Sequence, residues 1–358
     1  MTDADIDLAH ASRPERRAEL DAIRALVVVG LVFFHSALVF DARDDYYVKN
    51  AETTDATMIA AGLGVVWAMP TLFLVAGLGA WHSLRRRGTA GFASERLLRL
   101  GVPLVFATLT IIPVPQWLRL RADPAYRESY LEFLPRFFDV RLDLSDFPFV
   151  VAGEQFETGH LWFVVMLLAY ALLLALALRW LPRERAHRIR DRLAQALGRR
   201  GTMLLPALPI ALITALHGME EPYAGWSRWA YLLFFLYGFA LGGDDRFRTA
   251  MRRDAPLALA AGLILLATGM PAFLAVTQTP GADPFTDLTP LAITGRVLYG
   301  AAGWCCVVAV AYGVVRWDAP MAVKYLAIVT SSLVLTVAAY DLLVRRTRPT
   351  RFLFGMRG

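Results

Sequence analysis

Lysine, cysteine and charge are all scarce in this 358-residue chain. Only 19% of residues are charged, 35 of the 37 basic residues are arginine, and there are two cysteines and six histidines. So little charge, against about 25% in soluble domains, argues against a soluble enzyme and a disordered chain. Two adjacent cysteines, Cys305 and Cys306 in an apolar run, cannot build a disulfide framework and read as small membrane-helix residues. The chain also lacks zinc-ligand spacing, a Walker loop, a dinucleotide fingerprint, a serine nucleophile elbow and a basic helix with an aromatic platform, so neither a metal, a bound cofactor nor nucleic acid is expected.

What the chain has is apolar blocks. Residues are 57% hydrophobic with mean hydropathy +0.46. The blocks are long enough to cross a bilayer core of about 30 Å, which takes about 20 helical residues. The expected fold is all-α: one polytopic transmembrane bundle over residues 1–358, with tails at 1–18 and 345–358. About nine spans are expected, at 23–40, 58–83, 98–115, 160–180, 203–217, 228–243, 255–276, 291–316 and 320–344. The weakest is 203–217, which is short and holds Pro206 and Pro209. No separate soluble domain is expected; the longest polar stretch is 116–159.

Arginine orients the spans. Segment 84–99 carries five arginines, 179–202 eight and 244–254 four, whereas 218–227 and 277–290 have no basic residue. Segment 41–57 has two basic against five acidic residues. The N-terminus is therefore expected in the cytoplasm, with 41–57, 116–159, 218–227 and 277–290 outside. Nine spans would then leave Arg345, Arg346, Arg348, Arg351 and Arg357 outside, against the same rule. Either the last span is not a full crossing, or a helix is missing beside the abrupt link at 316–320.

Ionisable groups within apolar spans are costly and are functional candidates by default. Arg24 and His35 are eleven apart, three turns plus about 20°, so they share a helix face about 16 Å apart along the axis. One reading is a relay in which Arg24 anchors an elongated anion and His35 acts as general base or transient acyl acceptor. The other has Arg24 snorkelling at the boundary and His35 bonded to a neighbouring helix. Glu157 and His160 are three apart near a helix start and read equally as an acid/base pair or as helix capping. His217, Glu220 and Glu221 read as a solvated loop, and His10, His82 and His187 as surface residues. Arg96 and Arg99, one turn apart at the cytoplasmic mouth of the third span, can point at one anion, a phosphate for instance. Gly62, Gly64, Gly77 and Gly79 read as close helix-packing positions.

Five pieces in order resemble the acyltransferase-3 family of integral membrane O-acyltransferases, in particular its glucan biosynthesis protein C type. They are Glu19-Leu-Asp21-Ala-Ile-Arg24 with the ten-residue gap to His35, Met69-Pro70-Thr-Leu-Phe73 through Gly77, Arg96-x-x-Arg99, His160-Leu161-Trp162-Phe163, and Tyr340-Asp through Arg351-Phe-Leu-Phe-Gly-Met. The resemblance runs from about residue 16 to the end. It implies ten helices in a bacterial inner membrane. It implies transfer of an acyl group, succinyl or acetyl, from cytoplasmic acyl-CoA to a hydroxyl of a periplasmic or surface glycan. The family's essential histidine falls on His35, its first-helix arginine on Arg24 and its arginine pair on Arg96 and Arg99. Two departures stand out: Ala76-Gly77 where the family has Ser-Gly, and the absent helix, rich in Tyr and Ser, between the eighth and last spans. A proton-coupled transporter of a polyol or glycan, or an inactive scaffold relative, are the alternatives. Oligomeric state is not legible.

Overall fold

The computed structural model describes residues 27, 30, 31, 34–41, 50, 52, 53 and 56–313, the side chains of 56–63, 183, 312 and 313 excepted. Arg24, His10, both tails, the span at 320–344 and the gap at 316–320 lie outside the described residues. The first helix, α1, is seen at 27, 30–31 and 34–38. It is followed by α2 (Ala56–Arg96), a π turn (Leu97–Gly101), α3 (Val102–Thr110), α4 (Pro113–Arg121) and α5 (Tyr130–Phe137). A two-stranded antiparallel hairpin, β1 (Val140–Leu142) and β2 (Val151–Gly153), pairs Arg141 with Ala152. Then come α6 (Trp162–Trp180), α7 (Arg183–Ala196), α8 (Ala207–Leu216), α9 (Arg228–Leu241), α10 (Asp245–Thr277) and α11 (Pro290–Gly313).

A helical membrane bundle is what these elements form. Gly64–Arg121, Gly159–Trp180, Asp245–Thr277 and Pro290–Ala311 are long and apolar enough to cross a membrane. The first of these is not one rod. Gly88 takes φ 70° and ψ 178°, outside the helical region, at a position where the missing Cβ removes the steric cost. The reversal is visible in side-chain contacts: Ser83 donates to Glu95, twelve residues on, whereas a continuous helix would hold them about 18 Å apart. The arginine-rich segment 84–99 is thus the turn expected between the second and third spans.

α2 sits at the centre, packed on α6, α9 and α11. Its tightest neighbour is α9. A Cβ on Gly77 would lie 2.0 Å from the Phe235 carbonyl oxygen, and one on Gly238 would lie 1.9 Å from that of Leu74. Only glycines allow backbones this close. The expectation for Gly77 holds; around Gly64 no described atom lies within 4 Å of an added Cβ. α10 and α11 approach through Gly262, which faces Cys305 and Cys306, and Gly269, which faces Leu298. Both cysteines are free, and they serve as the compact packing residues that their place in an apolar run suggested.

α8 has ten residues, about 15 Å, too short to cross alone. The chain compensates by entering the bundle before α8 starts. Asp254 of α10, fully buried, accepts from the backbone N–H of Gly201 (3.0 Å) and Met203 (3.4 Å). Trp304 Nε1 donates to the Met203 carbonyl (2.8 Å). At its far end Thr214 Oγ1 donates to the Arg296 carbonyl (3.1 Å), so α8 and α11 run antiparallel.

The two sides deduced from arginine counts are recovered as two sets of contacts. Arg246 pairs with Asp191 (2.6 Å) and Arg253 donates to the Gly198 carbonyl (2.6 Å), joining the basic segments. At the opposite end the Met219 N–H donates to the Phe285 carbonyl (2.8 Å) and Arg228 reaches Asp146 (2.5 Å), joining the segments expected outside. The polar stretch 116–159 is folded over this outer end, with a small apolar cluster of its own around Ile112, Phe133 and Phe137.

Candidate functional site

Two imidazoles 125 residues apart in sequence meet at the outer end. His35 of α1 and His160, in a one-turn 3-10 helix (Gly159–Leu161) that leads into α6, have ring centroids 4.4 Å apart with planes at 63°. His160 is exposed and His35 is half-buried behind it. His35 Nδ1 lies 2.7 Å from the Leu31 carbonyl oxygen of its own helix. A carbonyl can only accept, so Nδ1 carries the proton, and Nε2 of the neutral ring holds the lone pair. That is the tautomer a general base or nucleophile needs. One hydrogen bond of His35 is thus made within α1.

Local sequence explains why His160 points here. Gly159 takes φ 48°, which a residue with a side chain adopts only at a cost, and this turns the chain into the helix start. The N-cap positions Thr158 and Leu161 make no side-chain cap hydrogen bond. Glu157, half-buried, stands just before this turn. Behind His160, Trp162 and Phe163 join an aromatic stack: Phe163 on Phe73 (4.8 Å), Phe73 on Tyr231 (4.4 Å), Tyr231 on Trp162 (5.6 Å). Phe73 and Tyr231 are buried, so the start of α6 that follows His160 is packed into the core.

The segment that carries His160 is fastened by a residue the sequence reading passed over. Arg228, at the start of α9, pairs with Glu220 through both its backbone N–H (2.7 Å) and its guanidinium Nε (2.7 Å). It also donates to the Asp146 carboxylate (2.5 Å) and the Phe147 carbonyl (3.1 Å) at the tip of the hairpin. Phe149 stacks on Tyr223 with centroids 4.7 Å apart and planes at 7°, beside the same guanidinium. Burial pushes the Tyr223 phenol up to about 12. Glu220 is thus not part of a solvated loop, which corrects that expectation, while His217 is exposed as expected. The pairing could not be read in sequence, because Asp146 and Arg228 are 82 residues apart and neither belongs to a motif.

Arg296 was also missed, although an arginine inside an apolar run is a visible signal. It is fully buried and donates to three carbonyls, those of Thr214 (3.2 Å), Pro284 (3.1 Å) and Asp287 (2.6 Å). This knot holds the end of α8, the 284–287 loop and α11 together, away from the imidazoles in sequence and in contacts.

Arg96 and Arg99 lie at the opposite end, Arg96 just before the π turn and Arg99 within it. They surround one carboxylate. Glu95 accepts from Ser83 and lies 3.4 Å from both Arg87 and Arg99, and the Arg96 guanidinium sits 5.2 Å from the Phe92 ring. Three guanidiniums about one carboxylate leave a net positive mouth, and Arg99 is 70% exposed in its side chain. Along α2, Ser83 and Arg87 lie about 15 and 21 Å from Phe73, which packs on Phe163 three residues after His160. His82 and His187 are exposed, the latter 2.6 Å from Arg190. Among the described residues there is no cluster of three or more metal-ligating side chains.

A membrane-embedded helical bundle with paired imidazoles at one end and clustered arginines at the other defines the class. Within it, residues 17–343 match the family model described as Acyltransferase domain, acyltransferase-3, and the chain belongs to that family. It is a membrane acyltransferase. No curated protein and no solved structure matches the chain significantly.

Proposed function

We propose that this acyltransferase takes an acyl group from cytoplasmic acyl-CoA and passes it to a glycan hydroxyl on the periplasmic side of a bacterial inner membrane. The acyl group is succinyl or acetyl, and for the glucan type the acceptor is a periplasmic glucan. The observation that carries the reading is the imidazole pair at one end of the bundle and a net positive mouth at the other. Arg96 and Arg99, with Arg24 on the first span, hold donor phosphates, for which guanidinium is the suited partner.

At the outer end, His35 Nε2 takes the proton of the acceptor hydroxyl as that oxygen attacks the thioester carbonyl. The tetrahedral adduct collapses by breaking the C–S bond, and the imidazolium returns the proton to the departing sulfur. Ester and free thiol result, and the ring is regenerated. In a variant of the same chemistry, His35 accepts the acyl group and passes it on. His160, exposed in front of His35, meets the acceptor first and relays the proton, with Glu157 beside it in the chain supplying negative charge near the developing imidazolium.

The test is acyl transfer from labelled acyl-CoA to glycan by the purified protein and in cells. His35→Ala is expected to abolish labelling, and His160→Ala to lower it by about 10²–10⁴, the usual range for a proton-transfer group. A His35→Ala protein that modified the glycan at the normal level would overturn the assignment. Proton-coupled flux of glycan without acyl-CoA would favour a transporter instead.

A further inference from the structure

The helix α7 follows the end of α6 after only Leu181 and Pro182, at most about 7 Å of chain, so it starts at the bilayer edge. Trp180, 77% exposed, marks that edge, as aromatic residues at the interface do. α7 reads Arg183-Glu-Arg-Ala-His-Arg-Ile-Arg-Asp-Arg-Leu-Ala-Gln-Ala. At about 100° per residue, Arg185, Arg188, Arg192, Ile189 and Leu193 fall within an arc of about 140°. No acidic residue falls in that arc, since Glu184 and Asp191 sit on its flank.

Contacts fix which way the helix faces. Ala194, on the opposite side, is buried, and Arg190 lies against Gly243 beyond α9. Asp191 is engaged by Arg246 (2.6 Å). The arc of three arginines with Ile189 (50% exposed) and Leu193 (43% exposed) therefore points away from the protein.

We propose that this arc binds the anionic phospholipid headgroups of the cytoplasmic leaflet. The interleaving decides the occupant. Phosphate at one depth and acyl chain at the next suit arginines alternating with isoleucine and leucine, whereas a soluble anion would leave both aliphatic side chains in water. Each basic residue near an anionic surface is worth about a factor of five, so three give a preference on the order of a hundredfold over neutral lipid.

The test uses the full-length protein reconstituted in vesicles of phosphatidylcholine alone or mixed with phosphatidylglycerol. A spin label is placed at Ile189→Cys, and its accessibility to oxygen and to a water-soluble nickel chelate is read by power saturation. With phosphatidylglycerol present the label is expected to become accessible to oxygen and shielded from nickel. The triple variant Arg185→Gln, Arg188→Gln, Arg192→Gln is expected to abolish that change. Lipid retained through purification, counted by mass spectrometry, is expected to lose its phosphatidylglycerol enrichment in the same variant but not in Arg199→Gln, Arg200→Gln. A label equally open to nickel in both vesicles would overturn the proposal, because the face would then meet only water. So would a label shielded from both probes, because protein would then cover it.

Discussion

Gly238→Ala adds one methyl group where α9 crosses α2. The new carbon would sit 1.9 Å from the Leu74 carbonyl oxygen, 2.7 Å from its carbon and 3.0 Å from Cα, all backbone atoms that cannot rotate aside. Ordinary contact begins near 3.4 Å, so the helices must part by about 1.5 Å. A gap of even 0.5–1 Å forfeits about a quarter to a half of each contact's dispersion energy. Phe73, Tyr231, Phe234 and Phe235, all buried, line this crossing. Overpacking of this kind costs about 1–3 kcal/mol, partly offset by about 1 kcal/mol from replacing a helical glycine. Because the clash is with backbone, the upper end of that range applies, and the net expectation is a loss of about 2 kcal/mol, a few degrees in Tm.

Gly101→Ala is the matched control. Gly101 has helical φ −68° and ψ −45°, and a Cβ there would meet only a Leu168 methyl at 3.7 Å, so no loss of Tm is expected. Melting in detergent at a fixed scan rate, followed by size exclusion, reads both. Gly238→Ala is also expected to lower acyl transfer, because the Phe73–Tyr231 stack that holds Trp162 and Phe163, just after His160, must shift. Equal Tm values for Gly238→Ala, Gly101→Ala and the parent would refute the claim that backbone contact at this crossing holds the bundle.

Arg296→Met strips three carbonyls of their donor and is expected to cost about 3 kcal/mol or more, whereas a hydrogen-exchange map without faster exchange at 284–287 would rule out the knot. Arg228→Gln and Glu220→Gln are each expected to cost about 2 kcal/mol and to be non-additive in a double-mutant cycle; additive losses would show that the pair does not act as a unit. At the exposed start of α5, Ser129 and Glu132 cap one another, and those hydrogen bonds hold the Glu132 carboxyl below its usual value. A carboxyl depressed on folding contributes fully above its unfolded pKa of about 4.3, and the contribution is lost as pH falls through the lower folded value. Exchange at α5 is therefore expected to quicken below about pH 4 in the parent, with Glu132→Gln showing no such step.

The apolar blocks at 58–83, 160–180, 255–276 and 291–316 were readable because a bilayer forces long uncharged runs, and arginine counts sorted their ends correctly wherever contacts can check them. Topology even placed His35 and His160 on one side. It could not bring their rings together, because that depends on how α1 and α6 pack, 125 residues apart, and on the turn at Gly159. Arg228 was opaque for the same reason, its partners being set by the folding of the hairpin at 140–153. The π turn at Leu97–Gly101, which holds Arg99, has no compositional mark. Arg296, by contrast, was legible and overlooked. A charge in an apolar run announces itself, and only its three carbonyl partners show that it is structural.

Gly88 leaves no slack in the chain around it. From that residue to Arg96 the backbone is helical without a break, so one residue inserted there would rotate everything beyond it by about 100° and advance it by about 1.5 Å. Glu95 would lose Ser83 and Arg87, and Arg99 would turn away from the mouth. In the hairpin tip, Leu144 and Ser145 are exposed and precede the Arg228 clamp at Asp146, so added length there costs only a fraction of a kcal/mol per few residues. Natural relatives should therefore differ in length at the hairpin tip and keep the count from 88 to 96 fixed, so that the spacing itself, and not the identity of any residue within it, is under selection.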